Sequence, residues 1–263
     1  MTFSSLSHNP FQLPEEIPMQ LPVLYQDDYL IAVYKPAGLL VHRSWLDTQA
    51  TQFALQIVRD QVGRYVYPLH RLDRPTAGIL LMAFSKDIAA KFMPMFASGE
   101  VHKDYEAIVR GIVGERSLLD YPLAEELDKI ADKNASQLPQ AKPAQTEYWP
   151  LGHAELPVAT GRYATSRYSW LGISPKTGRK HQIRRHMHHL SHPILGDTTH
   201  GDGRHNRLFR ERQWFGLWLL ARRVQFVHPF THKMLHIECA YPPHWLQLKT
   251  DLFHKYPFYF NEG

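Results

Sequence analysis

The chain has 263 residues and is 44% hydrophobic, enough to bury a sizeable core and too apolar for global disorder. Its one cysteine, Cys239, excludes an internal disulfide and a cysteine-based metal cluster, and no apolar run approaches the roughly 18 residues of a membrane-spanning helix. The formal net charge of +5, with 17 histidines in reserve below pH 7, suits a polyanionic partner and equally a well-solvated surface.

Residues 1–20 carry Pro10, Pro14 and Pro18 with little apolar periodicity, and they read as a poorly ordered, Pro-rich arm before a domain spanning 21–263. The arm has neither the basic nor the apolar region of a secretory signal, so a cytoplasmic protein is expected. Residues 30–34 form a short buried strand, closed by a turn at Lys35-Pro36-Ala37-Gly38. Ala54, Leu55, Val58 and Val62 recur at helical spacing, which predicts a helix over 51–62 capped by Thr48 or Thr51. Residues 65–69 and 79–84 are predicted strands, the second apolar on both faces as in a central strand. Between them, 71–78 is a loop broken by Pro75 and Gly78.

Ser85 caps a predicted helix to Phe96, distorted at Pro94 and ended by Gly99. Residues 103–109 alternate, with Tyr105, Ala107 and Val109 on one face and Glu106 and Ile108 on the other. The polar stretch 120–143 reads as a long loop, and 146–149 and 167–174 as strands. A helix over 181–190 has Ile183, Met187 and Leu190 as its buried stripe. A late hairpin spans 219–227 and 234–240, and a closing helix spans 245–253. The sum is an α+β fold: a substantial, mostly antiparallel sheet with helices packed on it.

Charge is clustered rather than spread. Lys176, Arg179, Lys180, Arg184 and Arg185 lie together without an acid, and Arg204, Arg207, Arg210 and Arg212 are offset only by Asp202 and Glu211. Such clusters point to nucleic acid, with 120–143 and 204–212 as its expected contacts. Histidines 181, 186, 188, 189 and 192 raise a metal site. However, His188 and His189 cannot share a helix face, no acid lies between Glu155 and Asp197, and no metal is expected. No Gly-rich phosphate loop follows a strand, so no nucleotide cofactor is indicated.

Three residues stand out chemically. Asp73 sits on a loop made positive by His70, Arg71 and Arg74, where a carboxylate can act as nucleophile or general base; the segment alone fits better an Asx-turn. Arg184 lies one turn from His181 and His188, opposite the predicted stripe, placed to reach a carboxylate in a cleft or simply solvent. Tyr105 would by default pack in the core; facing a cleft, it could stack on a base.

The stretch His70-Arg71-Leu72-Asp73, turning through Gly78 into an apolar strand, resembles the signature of the RluA-type pseudouridine synthases. In the same order, further segments are similar to that family: Lys35-Pro36-Ala37-Gly38, Lys103 to Gly111, Gly178-Arg179-Lys180-His181-Gln182-Ile183-Arg184, and His192-Pro193-Ile194-Leu195-Gly196-Asp197. The resemblance implies a pseudouridine-synthase-like catalytic domain whose central, mostly antiparallel mixed sheet and flanking helices surround an RNA-binding cleft. It implies Asp73, Tyr105 and Arg184 as catalytic residues, with Arg184 on Asp73 and Tyr105 against the target uracil. Arg71, His70, Lys103, Arg179, His181 and Ile183 would bind substrate. Residues 41–47, 125–133 and 157–163 are most like members that act on uridine 65 of tRNA, as monomers without a cofactor. Ribosomal RNA, another tRNA site, and a noncatalytic RNA-binding protein remain as alternatives. Two positions depart from the family pattern, Leu220 in place of a His and Ala77 in place of a Ser.

Overall fold

Apolar runs and alternating segments assemble into one large mixed sheet. The computed structural model describes residues 19–42, 51–125 and 140–259, so residues 1–18 of the expected arm over 1–20 and most of the stretch 120–143 lie outside it. The described strands are β1 (Val23–Gln26), β2 (Leu30–Lys35), β3 (Tyr67–Pro68), β4 (Ala77–Ala83), β5 (His102–Arg110), β6 (Ser117–Asp120), β7 (Leu123–Ala124), β8 (Ala141–Lys142), β9 (Gln145–Leu156), β10 (Ser166–Pro175), β11 (Leu219–Val227) and β12 (Met234–Glu238). The helices are α1 (Ala54–Val62), α2 (Lys86–Ser98), α3 (Gln182–His189), α4 (Gly203–Glu211) and α5 (Pro243–Leu248), the last continuing into a π-helical turn, Lys249–His254. None of the described helices is long and apolar enough to cross a membrane.

The sheet runs β1-β2-β4-β11-β5-β10-β9-β6, with β12 added on β11 and β3 on β4. Its one parallel pair among these is β4 with β11; the other pairings are antiparallel. Every residue of β4 is buried, as its two-sided apolar sequence requires. One face packs Ile31, Val33, Leu80 and Met82 against α1, and Ala107, Val109, Leu171 and Ile173 against Ile183 and Met187 of α3. The other face packs Ile79, Leu81, Ile108 and Leu220 with Phe92 of α2, Phe209 of α4 and Trp245 of α5.

Several elements depart from their sequence-based bounds for physical reasons. The predicted strand 65–69 pairs only over Tyr67–Pro68, because Pro68 has no N–H to extend the ladder and Tyr65 is turned to solvent. Helix α1 has no side-chain cap: Thr48 lies outside the described residues, and the carbonyls of Leu40 and Val41 instead accept from the N–H groups of Ala54 and Leu55. Helix α2 begins on Ser85, whose hydroxyl accepts from the Ile88 N–H, and it runs through the exposed Pro94 to Ser98 before Gly99 ends it. The ends of the stretch read as a loop over 120–143 pair with each other as β7 and β8. Helix α4 escaped the sequence reading, since arginines crowd its exposed side while only Asn206, Leu208 and Phe209 turn inward.

Register, more than any single element, positions the site. Gly78 of β4 lies opposite Ala221 of β11, Ala221 lies opposite Tyr105 of β5, and Tyr105 lies opposite Ile173 of β10. These residues form one row across the sheet, five positions beyond Asp73 in one direction and close before α3 in the other. The row needs a glycine. Gly78 has φ +120, and a Cβ there would stand 2.2 Å from the Ala221 carbonyl oxygen.

Candidate active site

The loop carrying Asp73 is braced from below before any side chain at the site acts. The Thr76 N–H donates to the Asp73 carbonyl at 3.0 Å, closing a turn. The turn after β2 meets it: Gly38 N–H donates to the Arg74 carbonyl at 2.7 Å, and Arg74 Nε donates to the Gly38 carbonyl at 3.0 Å. Lys35 ends the buried strand β2, and its Nζ donates to the carbonyls of Pro36, Leu39 and Arg74 at 2.9, 2.9 and 3.2 Å. Burial pushes the Lys35 ammonium down to about 7, against a smaller opposing pull from the Asp73 charge.

That shift has a signed consequence. A lysine whose folded value lies below its unfolded one leaves the unfolded chain binding more protons between the two, so stability at this position rises with pH from about 7 to about 10. A Lys35→Met chain is expected to lose that rise. Its urea midpoint should change less between pH 7 and pH 9.5 than that of the native chain, while lying lower overall because three carbonyls lose a donor. Equal pH dependence in the two chains would refute this role for Lys35.

Arg184 lies on the inward side of α3, its side chain only 4% exposed. Its Nε donates to Asp197 Oδ2 at 2.7 Å and its Nη2 to Asp197 Oδ1 at 2.8 Å, a bidentate pair. The remaining nitrogen, Nη1, donates to Asp73 Oδ2 at 3.2 Å. One guanidinium therefore bridges two carboxylates of different character. Asp197 is wholly buried, whereas the Asp73 side chain is 28% exposed and open to a bound molecule. Burial would raise the Asp197 carboxyl, but the Arg184 hydrogen bonds and charge, with the N–H groups of His200 and Thr199, hold it below the usual carboxylate range. Burial would likewise lower the Arg184 guanidinium, and Asp197 and Asp73 keep it raised.

Tyr105 belongs to the core cluster under α3, half-buried, and its phenol is raised by burial and by the nearby Asp73 charge. The hydroxyl therefore keeps its proton at neutral pH. His181 precedes α3 in a left-handed conformation, φ 53, with Nε2 at 4.0 Å from Asp73 Oδ2 and Nδ1 at 3.2 Å from His200 Nε2. Thus Asp73, Tyr105 and the segment His181 to Arg184, far apart in sequence, do converge.

Other predicted site residues have different surroundings. His70 accepts the Leu81 N–H through Nε2 at 3.1 Å and stacks on Phe96; burial and the Lys103 charge push it down to about 3, so it stays neutral. Lys103 also lies over the Phe96 ring, at 5.7 Å, and burial lowers its ammonium. The Arg179 side chain donates to the Pro143 carbonyl at 3.1 Å, and Ile183 is buried beneath α3. Arg71 is exposed on the Asp73 loop. The helix histidines go to separate partners: His186 to Thr146 and the Tyr121 carbonyl, His188 to the His200 carbonyl, His189 onto the Tyr121 ring, and His192 to the Arg110 carbonyl.

Asp197 and Lys35 were missed as site residues, although both lie in segments singled out in the sequence. The only local hint for Asp197 is Gly196 before it, with φ +77 and a Cβ position 1.7 Å from the Gly216 carbonyl oxygen, which marks a tight approach.

A carboxylate on a braced loop, paired with an arginine from a helix and near a strand tyrosine, is the arrangement that this fold presents. The chain belongs to the RNA pseudouridylate synthase family, matching it over residues 29–189. Among curated relatives it is 57% identical over 232 residues to the tRNA pseudouridine synthase C of Vibrio cholerae, covering 88% of this chain and 95% of that one. It is 50% identical over 233 residues to the protein of the same name from Yersinia pestis, covering 88% and 90%. In fold it is similar to human RNA Pseudouridylate Synthase Domain Containing 1, with a TM-score of 0.69 at 21% identity over 95% of this chain and 94% of that chain.

Proposed function

We propose that the protein isomerises uridine to pseudouridine in tRNA, at position 65, with Asp73 as the reacting carboxylate. The observation that carries this reading is the bridge from buried Asp197 through Arg184 to the open Asp73 carboxylate. The names and high identity of the bacterial relatives support tRNA as the substrate class.

The reaction breaks the C1′–N1 bond, turns the uracil, and joins C1′ to C5; the C5 proton leaves and N1 gains one. Nothing is oxidised or consumed, so the protein works without a cofactor, in this reading as a cytoplasmic monomer. Asp73 meets the electrophilic sugar or base, and Arg184 fixes the direction of its carboxylate. Tyr105 lies against the uracil ring; its retained proton makes it a stacking and donating group in the resting state. Arg71, exposed on the same loop, fills the gap in the RNA left by the extruded uridine, a step costing a few kcal/mol. His181 faces the same carboxylate. His70, Lys103, Arg179 and Ile183 then support the substrate surface from behind.

The test is direct. Purified protein incubated with unmodified tRNA transcripts is expected to create pseudouridine at position 65 and no other site. Transcripts left wholly unmodified would overturn the reading. Restored or missing pseudouridines mapped across tRNA and ribosomal RNA in a strain lacking the gene would reveal a ribosomal substrate instead.

A further inference from the structure

Past Asp197 the chain leads away from the catalytic carboxylate to a second concave surface. Asp202 is five residues further on, and an extended chain of that length spans at most about 18 Å. There the loop joining β9 and β10 faces the first turn of α4 across a cavity of about 730 Å³, with Arg110 at the end of β5 among its walls. Arg110, Arg162, Arg167 and Arg204 line it, against a single acid, Asp202.

These arginines are not equivalent. Arg110 is ion-paired with Asp202, and it also donates to the Ser191 carbonyl. Asp202 in turn caps α4 through the N–H groups of Arg204 and His205, so this pair is part of the scaffold. Arg167 is half-exposed, with Nε 3.2 Å from Glu155. Arg162 and Arg204 are exposed and have no carboxylate partner among the described residues. Arg162 lies 4.7 Å over the ring of Tyr163 and donates to its hydroxyl, while Tyr163 remains 64% exposed. The Arg204 Nη1 nitrogen lies against Gly161, 3.6 Å from where a Cβ would stand, so it reaches across to the β9–β10 loop. Burial lowers the nearby His205, which contributes no charge of its own at neutral pH.

Two guanidiniums without a carboxylate partner among the described residues, beside an exposed aromatic ring and the hydroxyl groups of Thr160 and Thr165, match the chemistry of a phosphodiester backbone: planar donors for phosphate, a π-face for a base or sugar. A structural ion-pair network would have matched its arginines with acids, as Arg110 is matched. We propose that this cleft binds the sugar–phosphate backbone of the substrate RNA away from the reacting uridine, with Arg162 and Arg204 as its phosphate contacts. The proposal rests on the RNA-modifying reading above and adds where the rest of the RNA is held.

The full chain carrying Arg162→Ala and Arg204→Ala together tests it, with an unmodified tRNA transcript as the probe. Binding measured from about 50 to 200 mM salt is expected to show a log–log slope smaller in magnitude by about 2, one per lost phosphate contact. KM for tRNA should rise about tenfold with kcat within about twofold, because only uniform RNA binding is lost. The Arg162→Lys, Arg204→Lys chain keeps both charges and should keep the native slope, which separates charge from damage to the fold. An unchanged slope and KM in the double alanine chain would overturn the proposal. So would a fall in kcat at unchanged KM. If the native chain made no pseudouridine in any RNA, the functional reading would fail, while the slope difference would still decide whether the cleft binds RNA.

Discussion

An Asp73→Asn chain is expected to fold and bind tRNA like the native protein and to make pseudouridine at least about a thousandfold more slowly. The fold should survive because little of it hangs on the Asp73 side chain. The loop turn is closed by the Asp73 main-chain carbonyl, and the adjoining turn is held by Lys35 and Arg74. The side chain makes one 3.2 Å contact with Arg184, which an asparagine oxygen also accepts, so the stability change should stay within about 1 kcal/mol. The chemistry should not survive. Asparagine fills the same volume but supplies neither an anionic nucleophile nor a base, and such groups contribute roughly 10²–10⁴-fold, more where a covalent step depends on them. Because the C5 hydrogen leaves in the reaction, tritium release from C5-labelled uridine in tRNA reads the rate, and a filter-binding titration reads affinity. Native turnover by Asp73→Asn would remove Asp73 from the mechanism; weakened binding with normal turnover would make it a binding residue only.

What the sequence disclosed and what it withheld follow from the range of the interactions involved. Strand β11 and helix α2 were legible because their signals are local: an apolar run at 219–227, and a Ser85 cap with Gly99 at the far end. The two faces of β5 could be read from alternation alone, with Tyr105 and Ala107 on one side and Ile108 on the other. The meeting of Asp73 with Arg184, 111 positions apart, has no local signal; it was reached only through the resemblance of ordered motifs. The reach of Arg184 to a carboxylate was legible, but its depth of burial was not. Helical spacing set it opposite Ile183 and Met187, where it could meet a carboxylate in a cleft; all three are buried because the segment after α3 folds back and brings Asp197 onto that side. Lys35 was passed over because lysine is almost never fully buried, and the carbonyls that tolerate it belong to turns whose geometry no periodicity encodes. Asp197 was invisible as an ion-pair partner for the same cause: its burial is made by tertiary packing around Gly196 and Gly216.

Asp197 therefore carries the second large expectation, this time on stability and activity together. In an Asp197→Asn chain, Arg184 stays buried and loses its bidentate anion, keeping only the longer contact to the more exposed Asp73. Breaking a buried pair from one side typically costs about 3–5 kcal/mol, since the remaining charge is stranded away from water. For a chain of this size that amounts to a fall in unfolding temperature of roughly 10 °C. Activity should fall as well, and in kcat more than KM, because a guanidinium no longer anchored by Asp197 does not aim the Asp73 carboxylate. The pH dependence fixes the cause. The Asp197 carboxyl is held below its unfolded value, so its contribution is fully present above the usual carboxylate range and is lost as pH falls through the lower, folded value. The stability gap between native and Asp197→Asn chains should then be constant near neutrality and close on strong acidification. Arg184→Lys offers a check that keeps the charge: a lysine cannot donate to both Asp197 oxygens and to Asp73 at once, so kcat should drop although the site's formal charge is unchanged. A gap that persisted unchanged into strong acid would show that Asp197 stabilises the fold by packing alone, and full activity in Arg184→Lys would show that the bridge between the two carboxylates does not position the reacting group.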